Sequence, residues 1–410
     1  MKKNLLIDIQ KWTEEPKSGI LIYTYNIVKE LARLNENAAP PDGGKFNIYF
    51  QQNKIVKKPV YEAIQKSGGN IKNSIKSILD LSPLLRDFGT AAYNSYKKYK
   101  LYSSSAKFLA KNAAGFFDSI YMPNAGYYLP PYKTDNLVVT VHDIASIETG
   151  NFIDKKMKNQ NFLHKMESDI YRENLLYNIK AANFITTVSN FVKERLESIL
   201  GIDGKKIGVV PNGTDFDKFK YIEDKESVKK RLKERYGVDF PFILYVGAIQ
   251  PRKNVKGLID AYLSSKKLTG DFRLVLVSGE TWKSRETKDL ILKNRDKIFN
   301  IKKIPASDLP LFYNAAEIFV YPSFYEGFGI PILEAFACGV PQALSNRTSI
   351  PEVGGEAAVY FDPSDTGDIK DKMESIAYSM ELRKKLADAG LDRVKTFSWG
   401  NAASELMRLL

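Results

Sequence analysis

The sequence predicts an α/β protein made of two doubly wound, parallel-sheet domains. Three observations carry that expectation: a length of 410 residues, short apolar runs alternating with helical patterns, and the continuity of runs such as ILYV at 243–246 and LVLV at 274–277. At roughly 100–200 residues per domain the length accommodates two domains. Continuous apolar runs suit parallel strands covered on both faces, and strand–helix alternation is the pattern of a doubly wound sheet.

A first strand series is expected at Asn4–Ile9, Lys45–Phe50, Asn136–Val141, Phe184–Val188 and Ile207–Val210. A second is expected at Phe242–Val246, Arg273–Ser278, Ile318–Tyr321, Gln342–Leu344 and Val359–Phe361. Helical patterns lie between them, at Ile20–Leu34, Phe191–Leu200, Val255–Leu263 and Ile330–Cys338. The Gly-, Asp- and Lys-rich stretch GIDGKKIGVVPNGTDFDKFKYIEDKES separates the two series, which places an N-terminal domain at 1–203 and a C-terminal domain at 204–395. Residues 396–410 read as an amphipathic helix, with Trp399, Ala403, Leu406 and Leu410 near one face, expected to pack back towards the N-terminal domain.

One segment breaks the alternation. Lys54–Lys111 carries 12 Lys/Arg against 3 Asp/Glu, interleaved with Phe88, Tyr93, Tyr96, Tyr99, Tyr102 and Phe108. A basic, aromatic helical insertion at about 54–112 suits anionic lipid headgroups. The alternative is a solvated helical pair whose aromatics pack on the first domain.

The whole chain has 61 Lys/Arg and 48 Asp/Glu, a formal charge of +13, which favours anionic partners. A single cysteine, Cys338, rules out an intramolecular disulfide and any multi-cysteine metal site, and is read as a small packed residue. His142 and His164 are too far apart for a zinc motif. No long apolar run or secretion signal is evident, so a cytoplasmic protein is expected, with peripheral attachment to the inner face of the membrane as its extension. The loops that mark ATPases and dinucleotide-binding enzymes are missing, and no nucleic-acid motif is evident.

The chemistry is written most densely in YPSFYEGFGIPILEAFACGVP, Tyr321–Pro341. A strand ends at Tyr321, a loop carries Glu326, Gly327, Phe328 and Gly329, and Pro331 opens a helix that Gly339 closes. Glycines before a helix N-terminus expose amides beside the positive end of the dipole, an arrangement that binds phosphate. Glu326 and Glu334, eight positions apart, flank that site. Carboxylates beside a diphosphate are repelled by it, so their natural partners are ribose and sugar hydroxyls.

This segment resembles the Glu-x7-Glu signature of retaining glycosyltransferases of family 4, which have the GT-B fold: two Rossmann-like domains facing an interdomain cleft. YVGAIQPRKNVKGLIDAY (Tyr245–Tyr262), VVPNGTDFDKF (Val209–Phe219), FITTVSNFVKERL (Phe184–Leu196), VVTVHDI (Val138–Ile144) and SGILIYTYNIVKEL (Ser18–Leu31) resemble the same family in order and spacing. The resemblance implies transfer of a sugar from a nucleotide-diphosphate donor to an acceptor hydroxyl with retention, without a metal. It also implies a donor on the C-terminal domain, an acceptor on the N-terminal domain, and front-face substitution.

On that resemblance Lys253, with Arg252, holds the donor diphosphate and offsets charge on the leaving group. Glu334 clasps the ribose, Glu326 contacts the transferred sugar, and the amides of Phe328, Gly329 and Ile330 face phosphate or sugar. His142, at the end of an apolar strand, contacts the donor sugar. Gly19 lets the first loop approach a substrate. Gly247 belongs to the phosphate loop. Ser189 on the acceptor side and Asn212 on the donor side are cleft residues or plain turn and cap residues. One departure is Ala248, where many members carry Arg, so Arg252 supplies that cation or the site has one fewer. Asp215-Phe216-Asp217, which spells a metal-binding Asp-x-Asp, is read as a turn after Pro-Asn-Gly.

The segments PRKN and SFYEGFGIPILEAFACGVP resemble bacterial mannosyl- and rhamnosyltransferases of surface-polysaccharide synthesis. That resemblance implies GDP-mannose as donor and an oligosaccharide or lipid-linked acceptor. A sugar-nucleotide 2-epimerase of the same fold and a non-catalytic basic membrane- or nucleic-acid-binding protein are the alternatives.

Overall fold

The structure, a computed structural model, describes residues 3–8, 18–37, 47–51, 117–127, 134–148, 162–278, 285–302 and 304–410. The basic segment 54–112 lies outside the described residues, as does the lipid-binding expectation made for it. Two compact units form: Met1–Val188 with Val192–Val210 and Trp399–Leu410, and Ser189–Phe191 with Pro211–Ser398.

The first unit holds a parallel sheet of β1 (Asn4–Asp8), β2 (Asn47–Gln51), β3 (Ser119–Met122), β4 (Asn136–Val141), β5 (Phe184–Thr187) and β6 (Ile207–Val209), in the order β2-β1-β3-β4-β5-β6. The order reverses beside β1. Leu5, Ile7, Ile120, Val138, Val139 and Ile185 are buried, as an all-parallel sheet requires. A chain of hydroxyls runs through this core. Tyr23 Oη lies 2.7 Å from Tyr121 Oη, which lies 2.8 Å from Thr140 Oγ1, itself 2.7 Å from Thr186 Oγ1. Each buried hydroxyl thus has a partner, which removes the penalty of burying it.

The sequence missed β3. Its SIYM run is only four residues long and opens on a serine, so alternation could not separate it from loop. The boundary expected at 203/204 also moves, to 210/211. Ile207–Val209 pairs with β5 and so completes the first sheet, although it lies inside the Gly- and Lys-rich stretch. The helix Trp399–Met407 buries Trp399, Ala403 and Leu406 within the first unit. Its indole meets the Tyr23 ring edge-on at 5.8 Å, Ser119 Oγ donates to the Leu410 carbonyl at 2.7 Å, and Asn136 Nδ2 donates to the Leu409 carbonyl at 3.0 Å.

The second unit is built on β7 (Phe242–Val246), β8 (Arg273–Ser278), β9 (Ile298–Lys302), β10 (Ile318–Tyr321), β11 (Gln342–Ser345) and β12 (Val359–Phe361). All neighbours are parallel, in the order β12-β11-β10-β7-β8-β9. Every residue of β7 and β10 is buried, so both faces are covered. β9, IFNIK, escaped the sequence reading because Asn300 and Lys302 interrupt its apolar pattern. The strand order reverses between β7 and β10, and ligands of open α/β sheets bind beyond the carboxyl ends of strands at such a switch point. Among the described residues no helix is long and apolar enough to cross a membrane.

Candidate active site

Both strands at the second unit's switch point lead into the segments singled out from the sequence. After β7, Gly247 adopts φ 150°, and Tyr245 Oη donates to the Ala248 carbonyl at 3.0 Å. A Cβ on Gly247 would lie 2.8 Å from that same tyrosine oxygen, so only glycine fits. The chain then makes one 3₁₀ turn, Pro251–Lys253, started by the proline and closed by Asn254 in the left-handed region at φ 51°. Asn254 Nδ2 donates to the Pro363 carbonyl at 2.7 Å, which anchors the turn.

The turn sends two neighbouring cations to one carboxylate. Lys253 Nζ donates to Glu326 Oε1 at 2.5 Å and to Tyr321 Oη at 3.1 Å. Arg252 Nη1 donates to Glu326 Oε2 at 3.2 Å and to the Tyr325 carbonyl. Burial alone would raise the Glu326 pKa, but the Lys253 and Arg252 charges and the Lys253 hydrogen bond outweigh it and hold it at about 2. Arg252 thus brings a second cation to Glu326.

Glu326 is positioned by residues the sequence reading passed over. Its amide donates to Thr348 Oγ1 at 3.1 Å, and Ser349 Oγ donates to its carbonyl at 2.9 Å and to that of Phe328 at 3.2 Å. Thr348 sits at φ 58°, a strained setting for a β-branched residue. Ser189 Oγ donates to the Gly327 carbonyl at 2.7 Å and is fully buried. Expected on the acceptor side, Ser189 instead groups with the second unit and braces the Glu326 loop.

The loop ends at Gly329, whose φ of 107° only glycine tolerates, and the helix Ile330–Ala337 begins with Pro331 in its first turn. Among the described residues the amides of Phe328, Gly329 and Ile330 have no acceptor, as the first positions of a helix do not. Phe328 and Ile330 are themselves buried, Phe328 edge-on to Phe397 at 5.9 Å. One turn into this helix, Glu334 is buried and accepts a 2.9 Å hydrogen bond from Tyr313 Oη. Burial pushes its pKa up to about 7, against the Tyr313 hydrogen bond and the Lys218 charge. The two glutamates thus differ sharply, one fixed as an anion and the other poised near neutrality.

Asn212 is buried with its Oδ1 unpartnered among the described residues. Asp215 Oδ1 accepts from the Asp217 and Lys218 amides at 3.1 and 3.3 Å, which makes Asp215-Phe216-Asp217 a turn. Cys338 is buried, its thiol pushed up to about 12 by burial.

In the first unit, His142 follows β4, and its Nε2 lies 2.8 Å from the Pro123 carbonyl. That carbonyl can only accept, so Nε2 carries the proton and Nδ1 is the acceptor. Burial lowers its pKa to about 4, against the Pro123 carbonyl and the Asp143 charge, so the ring is neutral at physiological pH. It meets the Tyr23 ring edge-on at 4.7 Å. Gly19 is the exposed first residue of the helix Gly19–Asn37.

Residues 227–393 match the family model "Glycosyl transferases group 1", and residues 117–218 match "Glycosyltransferase Family 4". The chain is 28% identical over 396 residues to an O-antigen chain mannosyltransferase B of Escherichia coli, covering 95% of each protein. Its fold is that of a sucrose-phosphate synthase from Thermosynechococcus elongatus, with a TM-score of 0.70 at 17% identity over 100% and 98% of the two chains. It is also that of WaaG, a glycosyltransferase involved in lipopolysaccharide biosynthesis, with a TM-score of 0.66 at 15% identity over 99% of each.

Proposed function

The chain belongs to the family 4 glycosyltransferases of GT-B fold, and on that premise we propose that it transfers mannose from GDP-mannose, with retention, to a glycan or lipid-linked acceptor of surface polysaccharide. The observation that supports this most is that Arg252 and Lys253, after β7, meet Glu326 in the loop after β10 that leads to the helix start at Gly329–Ile330, at the second unit's switch point. Two cations and a helix N-terminus suit a diphosphate, and they supply the charge stabilisation that a metal gives elsewhere. Among the described residues no cluster of His, Cys, Asp or Glu suits a metal ion. Mannose is favoured over other sugars by the mannosyltransferase named above, and the sugar-nucleotide epimerase alternative has no such support.

In this reading Glu334 accepts from the ribose hydroxyls and Glu326 from the sugar. Glu326, held at about 2 by two cations, is a poor nucleophile. Front-face substitution fits better. The acceptor oxygen bonds to the anomeric carbon as the bond to the phosphate oxygen breaks, and the acceptor proton passes to that phosphate, giving glycoside and GDP. His142 is neutral, and the first unit takes the acceptor. The protein works in the cytoplasm, attached peripherally through the basic segment 54–112, and deletion of that segment should abolish pelleting with anionic vesicles.

The test is incubation of the purified chain with GDP-mannose and a mannose-terminated oligosaccharide, in EDTA, with the new linkage read by NMR. An α-mannoside formed in chelator supports the proposal. Inverted product, a metal requirement, or transfer from UDP-sugars alone would refute the corresponding part.

A further inference from the structure

The cations assigned to the donor diphosphate are already engaged without it. Glu326 takes both, Lys253 on one oxygen and Arg252 on the other, with its own side chain only 8% exposed. Tyr321 and Tyr245 face the same cluster, but burial raises both phenols, so neither adds charge. Among the described residues, one fixed negative charge thus lies against both positive charges where the phosphate is proposed to bind.

We infer that Glu326 is an internal counter-anion that lets the site distinguish a nucleotide sugar from a bare nucleoside diphosphate. The inference rests on the donor-site reading above. A diphosphate entering the pocket needs the N–H groups that Glu326 now occupies. A nucleotide sugar brings hydroxyls that donate to the carboxylate, so charge-assisted hydrogen bonds replace the ones it gives up. A bare nucleoside diphosphate brings none. It either sits beside an unrelieved carboxylate or leaves that buried anion without donors, and both are costly.

The loop is suited to such an exchange. The Glu326 amide and carbonyl are tied to Thr348 and Ser349, so the backbone stays fixed while the side chain rotates between cations and sugar. The same device works on the product side. Once the sugar has left, Glu326 loses its hydroxyl donors, returns to Lys253 and Arg252, and helps expel the nucleoside diphosphate.

The experiment compares GDP and GDP-mannose binding by calorimetry to the full chain, wild type and Glu326→Gln. The amide keeps the shape and removes the charge. E326Q should bind GDP roughly tenfold tighter and GDP-mannose no tighter, so the preference for the sugar nucleotide falls by about that factor while turnover drops. Glu326→Asp, which withdraws the carboxylate from the cations by one methylene, should move GDP affinity the same way by about threefold, and it carries the test if E326Q does not fold. Unchanged or weaker GDP binding in the folded variants overturns the inference and leaves the donor site standing. If wild type binds neither GDP-mannose nor any UDP-, ADP- or dTDP-sugar, the donor site itself falls and the inference with it.

Discussion

Tyr313 and Glu334 form a buried pair in which the phenol donates to the carboxylate at 2.9 Å. It keeps the pKa of Glu334 from rising further than the value of about 7 that burial imposes. A carboxylate raised above its ordinary value binds more protons in the folded protein than in the unfolded one. Its contribution to stability therefore declines as pH rises from 4.5 through 7.

Donor binding should run the other way, because ribose hydroxyls donate best to the ionised carboxylate. GDP-mannose has no phosphate titrating near neutrality, so its affinity reports Glu334 directly. Calorimetry should show roughly tenfold tightening between pH 6 and 8, the ratio of ionised fractions about a pKa near 7. Tyr313→Phe should move that rise to higher pH by about half a unit or more, and Glu334→Gln should flatten it. A pH-independent wild type would remove Glu334 from the ribose.

Lys253→Ala tests the diphosphate contact. Loss of the ammonium should cut kcat by about a hundredfold, the scale of removing one charge-stabilising donor, and weaken GDP binding. A thermal melt should confirm that the fold survives. Retention of wild-type GDP affinity would displace the phosphate from this turn.

Thr348 tests how the Glu326 loop is held. Thr348→Ala removes the acceptor of the Glu326 amide but keeps a side chain at φ 58°, and should cost about 1 kcal/mol. Thr348→Gly loses the same hydroxyl without the left-handed strain, so it should melt above the alanine variant. The reverse ranking in calorimetric melts would show that the loop carries no strain there.

Gly329→Ala tests the start of the helix that carries Glu334. It forces a side chain into φ 107° and puts Cβ 2.9 Å from Ile332 Cδ1 and 3.5 Å from Tyr321 Cε1. A loss of about 1–3 kcal/mol is expected, together with misdirected amides and weaker GDP binding. Wild-type melting and binding would mean that the helix start tolerates ordinary backbone geometry.

Most of the second unit was readable because its strands are uninterrupted apolar runs. Phe242–Val246, Arg273–Ser278 and Ile318–Tyr321 begin and end where the patterning placed them. Tyr321–Pro341 advertised the loop of Glu326 and the helix after it through its glycines, proline and paired glutamates. Less was visible where function depends on contacts between distant segments. Nothing local marks Tyr313 as the partner of Glu334, or Thr348 and Ser349 as the clamps on Glu326, since each acts from 21 to 23 residues away. Only Pro251 hinted that Arg252 and Lys253 would share a carboxylate, because a turn rather than a helix or strand was needed to aim both at once.

The helix Trp399–Met407 lies against Gly19–Asn37 in the first unit, although the whole second unit is made in between. The amino-terminal half therefore cannot be finished in the order it is synthesised. During translation its β3 and β4 lack the bonds from Ser119 and Asn136 to the Leu410 and Leu409 carbonyls until those residues clear the ribosome. A nascent chain stalled short of that point would display an unsealed apolar face to chaperones, while its later-made neighbour, Pro211–Ser398, would already be whole.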